Sequence, residues 1–287
     1  MGGYHVIIGR LTLGELVAFL SLTSVMFPVA TSITNAIINF PMINVSLERF
    51  YQIIDSVYIQ NERNKKNVHL TFGNIELKNI NFSYPSSCTP VLNNITLNIP
   101  SNKITLVTGA SGCGKSTLLK LILGIYDSYY GQIEIDDYDI KTIKKKSLRR
   151  QISYIGTETN VFPGTIIDNI TYGIDKKHLS IEKITNAIKL ACLDEKISKL
   201  PNGLNTILNG EDDLSTGEKQ RLTLARSFLY NPKIMLLDEV TANINGEMVE
   251  KILANLKHES INKTIVIVSH HEIVAKFADT IISLEKL

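Results

Sequence analysis

The residues with the most specific chemistry lie between Lys103 and Leu119, KITLVTGASGCGKSTLL. An apolar run, Ile104–Val107, ends at Gly109. Gly112 and Gly114 follow, then Lys115, Ser116 and an apolar stretch of helical character from Thr117. Gly109 and Gly114-Lys115-Ser116 occupy the fixed positions of G-x-x-x-x-G-K-[ST]. Glycine lets the backbone curl around an anion with its N–H groups turned inward. A helix beginning near Gly114 adds the positive potential of its N-terminal end. Lys115 supplies a cation for the β- and γ-phosphates of a nucleotide, and the Ser116 hydroxyl a ligand for Mg2+. Gly109, Ala110, Ser111, Gly112, Cys113, Gly114, Lys115, Ser116 and Thr117 are therefore the candidate phosphate-binding loop. Cys113, between a cation and a helix N-terminus, is expected to be a reactive thiol.

Ile234-Met235-Leu236-Leu237-Asp238-Glu239 reads as a buried strand ending in two acids. Ligands of open parallel sheets sit beyond the carboxyl ends of the strands. Asp238 is thus expected to meet Ser116 and hold Mg2+ through water, and Glu239 to polarise an attacking water. Val266-Ile267-Val268-Ser269-His270 repeats the design, and His270 is expected to sense the phosphate.

These residues need a frame. Ile75–Tyr84 and Ile95–Ile99 alternate apolar and polar residues as half-exposed strands do. Lys103–Val107, Ile234–Leu237 and Thr264–Val268 have the uniform apolarity of buried strands. Gln132–Ile135, Ile152–Ile155 and Thr280–Leu284 read as further strands, and Pro85-Ser86-Ser87 as a turn. The periodicity of Ile181–Leu200 predicts one helix, stopped by Pro201-Asn202-Gly203. Thr216–Leu229 is a second, with Ser215 as N-cap and Glu218 completing a capping box. The N-terminal residues differ. From Leu16 to Leu47 there is no charged residue, which predicts a membrane-spanning helix flanked by Arg10, Glu48 and Arg49. Ser and Thr within it bond back to the helix, and Pro28 would kink rather than end it. Tyr4–Ile8 reads as the tail of a preceding span, and Ser46–Tyr58 as a helical continuation into the cytoplasm. The polar stretch Asn61–Asn67 is the expected linker. The expected division is 1–60 as the end of a membrane domain, 61–67 as linker and 68–287 as a nucleotide-binding domain.

Composition adds bounds. The 287 residues, 44% of them hydrophobic, suffice for one large domain and an appendage. A net charge of +2, from 30 basic and 28 acidic residues, leaves no electrostatic footprint for nucleic acid. Lys144-Lys145-Lys146 with Arg149-Arg150 reads as a solvated helix face or turn. Cys88, Cys113 and Cys192 show no C-x-x-C spacing and fit a reducing compartment. The pattern of a cleavable signal peptide is absent.

Taken together, the chain resembles an ATP-binding cassette (ABC) exporter: a last membrane helix followed by the nucleotide-binding domain. Gly109–Ser116 resembles the Walker A loop and Ile234–Asp238 the Walker B strand. Glu239 falls at the catalytic glutamate, His270 at the switch histidine, and Tyr84 at the aromatic that stacks on adenine. Leu214-Ser215-Thr216-Gly217-Glu218 resembles the LSGGQ signature, which serves the nucleotide of the partner domain. The resemblance implies an α/β P-loop NTPase of ABC type, preceded by one transmembrane helix. A mixed sheet core, an antiparallel β subdomain and a helical subdomain belong to that fold. It also implies catalysis by Glu239, His270 and Lys115, with ATP and Mg2+ as cofactors. A second nucleotide-binding domain, arranged head to tail, and further transmembrane helices are the implied partners. The plasma membrane is the implied location, with the nucleotide-binding domain in the cytoplasm. ATP hydrolysis would drive export of a lipid, peptide or drug-like substrate; the alternatives are a soluble ABC ATPase and a binding-only cassette in a heterodimer. Three positions depart from the family. Thr157 stands at the Q-loop glutamine that contacts the metal, Thr216 at the signature's first glycine, and Asn245 at the D-loop aspartate. One span cannot enclose a pathway, so the chain is expected to be a fragment, a split-gene product or a half working with a separate membrane partner.

Overall fold

The computed structural model describes residues 2–56, 62–85, 87, 89–174, 179–209 and 213–284. They form two compact units, Met1–Glu62 and Arg63–Leu287.

The first unit holds α1 (Gly2–Ile7) and α2 (Leu13–Ser56). The expected span tail at Tyr4–Ile8 is thus mostly a short helix, ended where Gly9 turns left-handed at φ +71°. Thr12 starts α2: its hydroxyl accepts from the Glu15 amide, and the Glu15 carboxylate accepts from the Thr12 amide at 2.8 Å. α2 runs for 44 residues through Pro28 and Pro41. Around Pro28 the hydroxyls bond back to the helix. Thr31 Oγ1 donates to the carbonyls of Phe27 and Pro28, and Ser32 Oγ to that of Pro28 at 2.8 Å. The segment Leu13–Tyr51 is long and apolar enough to cross a membrane. Val57 and Tyr58, at the end of the expected continuation, lie outside the described residues, as do Asn61, Ser86 and Cys88.

A 3-10 turn, Glu62–Asn64, runs across the start of the second unit at Arg63. The latter part of the expected linker belongs to the second unit, where the Lys66 amide donates to Thr142 O at 2.9 Å. The elements that follow are β1 (Ile75–Phe82), β2 (Leu92–Ile99), β3 (Ile104–Gly109), α3 (Lys115–Ile122), β4 (Tyr130–Ile135), β5 (Tyr138–Asp139), α4 (Lys145–Arg149) and β6 (Ile152–Ile155). Then come β7 (Gly164–Thr165), α5 (Ile166–Ile170), α6 (Ile181–Leu190), α7 (Asp194–Ser198), β8 (Ile207–Leu208) and α8 (Thr216–Tyr230). The chain closes with β9 (Ile234–Asp238), α9 (Gly246–Glu259), β10 (Thr264–Val268), α10 (Glu272–Phe277) and β11 (Thr280–Leu284).

Strand direction is sorted by sheet. Five strands pair in parallel in the order β11-β3-β10-β9-β6, and four pair antiparallel in the order β2-β1-β4-β5. β7 and β8 form a small antiparallel pair. The parallel sheet is covered on both faces, which explains its uniformly apolar strands. Ile104, Leu106, Ile265 and Ile267 pack with α5, α6, α8 and α9 on one face. Val107, Val266, Val268 and Leu236 pack with α3 and the antiparallel sheet on the other.

The helix expected over Ile181–Leu200 is broken. α6 ends at Leu190, and Cys192 adopts a left-handed φ of +55° before α7 begins. Leu193 and Ile197 are still buried, so the apolar period carries on while the axis does not. A left-handed turn at a non-glycine residue leaves no mark in periodicity. The Lys144–Arg150 cluster is partly structural: Lys145 pairs with Asp127 at 2.9 Å, and Leu148 is buried.

Candidate active site

The glycine-rich loop leaves β3 at its carboxyl end. Gly109, Gly112 and Gly114 have φ of +147°, +78° and +96°. At two of them crowding adds to the backbone requirement. A Cβ on Gly109 would lie 2.4 Å from Leu284 O, and one on Gly114 2.6 Å from Leu92 Cδ2. Gly114 caps α3, whose first residue is Lys115. The Lys115 side chain is buried, and its Nζ donates to Gly109 O at 2.9 Å and Ala110 O at 2.8 Å. The ammonium therefore bridges the mouth of the loop. Cys113 turns inward, 6% exposed, with Sγ 4.0 Å from Lys115 Nζ. That burial removes the access a reactive thiol needs, contrary to expectation.

A cavity of about 330 Å3 opens over the loop. Tyr84, Ser111, Gly112, Lys115, Ser116 and Glu239 are among its walls. Residues from β3–α3 and from the end of β9 thus share one space, as their positions in the sequence predict, and Tyr84, which the family resemblance places there, joins them from beyond the end of β1. Thr117 lines it too, and its Oγ1 lies 2.8 Å from the Tyr84 hydroxyl. The Tyr84 ring stands edge-on to Phe82 and Tyr126, with centroids 5.1 and 5.5 Å away. It is held at the rim of the loop as an aromatic wall.

Asp238 ends β9 and is 3% exposed. Its Oδ2 accepts a hydrogen bond from the Tyr154 phenol at 3.0 Å, while its Oδ1 is buried without a partner among the described residues. Burial, and after it the Asp238 charge, push the Tyr154 phenol above its ordinary value, so it remains a donor. Tyr154 is absent from the residues the sequence singles out, because a tyrosine in a short strand carries no spacing signal. A buried carboxylate oxygen without a donor suits a hydrated cation, so the chemistry of this corner fits Mg2+.

Glu239 follows in a left-handed conformation, φ +54°, with its amide donating to Val268 O at 2.9 Å. Such a conformation in an acidic residue is uncommon and clusters at functional sites. The turn brings Glu239 Oε1 to 3.6 Å from His270 Nε2. Both side chains are partly exposed, so the pair faces solvent rather than the core.

The signature-like residues open α8. Ser215 Oγ accepts from the Glu218 amide and Glu218 Oε2 from the Ser215 amide at 2.9 Å, the capping box that the sequence predicts. Glu218 also pairs with Lys196 at 2.9 Å. Burial acts to raise the Glu218 carboxyl, but the Lys196 and Ser215 bonds outweigh it and hold it below its ordinary value. Leu214 is buried and Thr216 exposed. Gly217 is required by packing, since a Cβ there would meet Asn243 O at 2.4 Å. None of Leu214–Glu218 lines the cavity over the chain's own loop. Thr157 is exposed just beyond β6 and is not among that cavity's walls either. Asn245 caps α9, accepting from the Met248 amide at 3.0 Å.

A parallel sheet with a phosphate loop after one strand and an acidic pair after the next but one defines a P-loop nucleotide-binding domain. The sequence profile of the ABC transporter family matches residues 92–242, and the chain belongs to that family. It is 36% identical over 283 residues to the uncharacterized ABC transporter ATP-binding protein YwjA of Bacillus subtilis (strain 168), covering 98% of this chain and 49% of that protein. It is 33% identical over 291 residues to the lactococcin-G-processing and transport ATP-binding protein LagD of Lactococcus lactis subsp. lactis, covering 100% of this chain and 40% of that one. The ATP-dependent lipid A-core flippase of Escherichia coli (strain K12) is 33% identical over 282 residues, 97% of this chain and 48% of the flippase. Among solved structures, a bacterial Atm1-family ABC exporter with ATP bound matches with a TM-score of 0.81 at 26% identity, over 96% of this chain and 48% of that chain. The chain spans about half the length of the curated relatives it matches.

Proposed function

We propose that this chain binds and hydrolyses ATP and that the hydrolysis drives export across a membrane. The observation that carries this reading is the shared cavity of Lys115, Ser116 and Glu239, with the Glu239 carboxylate 3.6 Å from His270. Lys115 and the loop amides bind the β- and γ-phosphates, and Tyr84 stacks on the adenine. Glu239 takes a proton from the attacking water. The water oxygen bonds to the γ-phosphorus, the bond to the bridging oxygen breaks, and ADP and phosphate leave. His270 donates a hydrogen bond to the γ-phosphate. Ser116 and Asp238 would hold Mg2+, which when bound neutralises the phosphate charge.

Leu214, Ser215, Thr216, Gly217 and Glu218 serve the nucleotide of a second cassette in a head-to-tail dimer. Support comes from their exclusion from this chain's own cavity. α2 belongs to a membrane domain completed by further helices, with the cassette in the cytoplasm at the plasma membrane. Its long apolar segment, the flippase among the relatives and the exporter among the solved structures support that placement. The cargo is of lipid, peptide or drug-like type.

Glu239→Gln tests the catalytic assignment. The variant is expected to bind ATP as the parent does and to release phosphate at least about a hundredfold more slowly. Phosphate release at the parental rate would overturn the role given to Glu239, and a parent that binds no ATP would overturn the whole reading.

A further inference from the structure

We infer that Tyr154 is a positioning residue for Asp238, fixing one carboxylate oxygen so that the other is presented to the cation accompanying the nucleotide. The inference rests on the function proposed above and assigns a role to a side chain outside the phosphate loop and its acids.

The register of the parallel sheet makes the contact. β6 lies beside β9, and Tyr154 is paired with Leu236. Asp238 is two residues further on and shares the face of Leu236. A step of two residues along a strand is about 6–7 Å, which a tyrosine spans with its ring. The phenol accordingly reaches Asp238 Oδ2 at 3.0 Å. The ring has little freedom to leave. It packs against the apolar cluster beneath α3, and a Cβ on Gly156 would already lie 3.1 Å from it. A phenylalanine would fill the same space without the hydrogen bond.

The carboxylate is thereby made asymmetric. Asp238 is 3% exposed, its Oδ2 is committed to the phenol, and its Oδ1 is buried with no donor among the described residues. Rotation of the carboxylate would exchange the two oxygens, and the phenol opposes that rotation. The unpaired oxygen carries a desolvation cost that a hydrated cation relieves. Groups that orient a metal ligand from behind commonly alter metal affinity by about 10–100-fold. Tyr154 stands in that relation to Asp238.

The test is a binding measurement on the full chain. A fluorescent ATP analogue, trinitrophenyl-ATP, is titrated in excess Mg2+ and again with Mg2+ removed by EDTA, and the ratio of the two affinities is recorded. Tyr154→Phe is expected to leave the metal-free affinity within about twofold of the parent and to shrink the ratio on the order of tenfold. Asp238→Asn is expected to bring the ratio close to unity, and adding Tyr154→Phe to it should change the ratio no further. A parental ratio in Tyr154→Phe overturns the inference and leaves the proposed function standing. So does an equal fall in both affinities, the mark of a ring that is merely structural. A parent that binds no analogue in either medium overturns both.

Discussion

Asp279 ties the start of β11 to the start of β3, at the end of the two strands away from the phosphate loop. Its carboxylate accepts from the Ile104 amide at 2.9 Å, and its own amide donates to Ile104 O at 2.8 Å, just as β11 begins against β3. Lys257 completes the group from α9. Burial acts to raise the Asp279 carboxyl, but the Lys257 and Ile104 bonds outweigh it and leave it lowered. A carboxyl lowered on folding adds stability that is present above its unfolded value and is lost as the pH falls through the folded one. Asp279→Ala should therefore cost about 1–2 kcal/mol near neutral pH. The difference between parent and variant should close as the pH drops through the carboxylate range. Denaturant melts across that range measure it, and a pH-independent difference would assign the cost to packing alone. At this scale the sequence was a good guide to chemistry and a poor one to partners. Lys115, Ser116, Asp238 and Glu239 announce themselves by type and spacing. Tyr154 does not, because its partner is 84 residues away and nothing local requires a tyrosine. Cys113 misleads for a related reason: its neighbours in sequence suggest activation, whereas the curl of the loop turns it inward.

Among the elements, the turn between β4 and β5 does more than reverse the chain. Asp136, at φ +50°, accepts from the amides of Thr71 and Phe72 at Oδ2 and of Gly73 and Asn74 at Oδ1, at 2.7–2.9 Å. Four successive backbone donors close on one carboxylate, and the segment leading into β1 is clasped to the antiparallel sheet. Asp136→Ala should cost on the order of 3 kcal/mol, read as a lower denaturant midpoint. Asp136→Asn should recover part of that, since its amide offers only one accepting oxygen; full recovery would mean that charge and the second oxygen are idle. The strands were the most legible elements, because burial on both faces of the parallel sheet writes uniform apolar runs such as Ile234–Leu237 and Thr264–Val268. The start of α8 was legible through its capping box. What escaped were the turns set by left-handed non-glycine residues, at Cys192 above all, and short helices such as α5 and α10 that are too brief for a period.

For the whole molecule, pairing is the open variable. In a head-to-tail homodimer the proposed arrangement would put Thr216 in both nucleotide sites. A heterodimer with a partner bearing glycine there would leave one site unaltered. Thr216 is exposed at the first turn of α8, so its replacement by glycine changes little in the chain itself. If Thr216 limits a homodimer, Thr216→Gly should raise the ATPase rate of the purified chain by about tenfold or more. An unchanged rate beside robust parental turnover would remove the reason to invoke a different partner. The sheet order carries a consequence for synthesis. β3 ends at Gly109, yet both strands beside it lie far downstream, β10 at Thr264–Val268 and β11 at Thr280–Leu284. Leu284, in β11, also supplies the carbonyl packed over Gly109. On the ribosome, then, the loop is synthesised well before the strands that flank it, and it waits for them before its walls are complete. The site is therefore completed by long-range pairing, when β10 and β11 take their places on either side of β3.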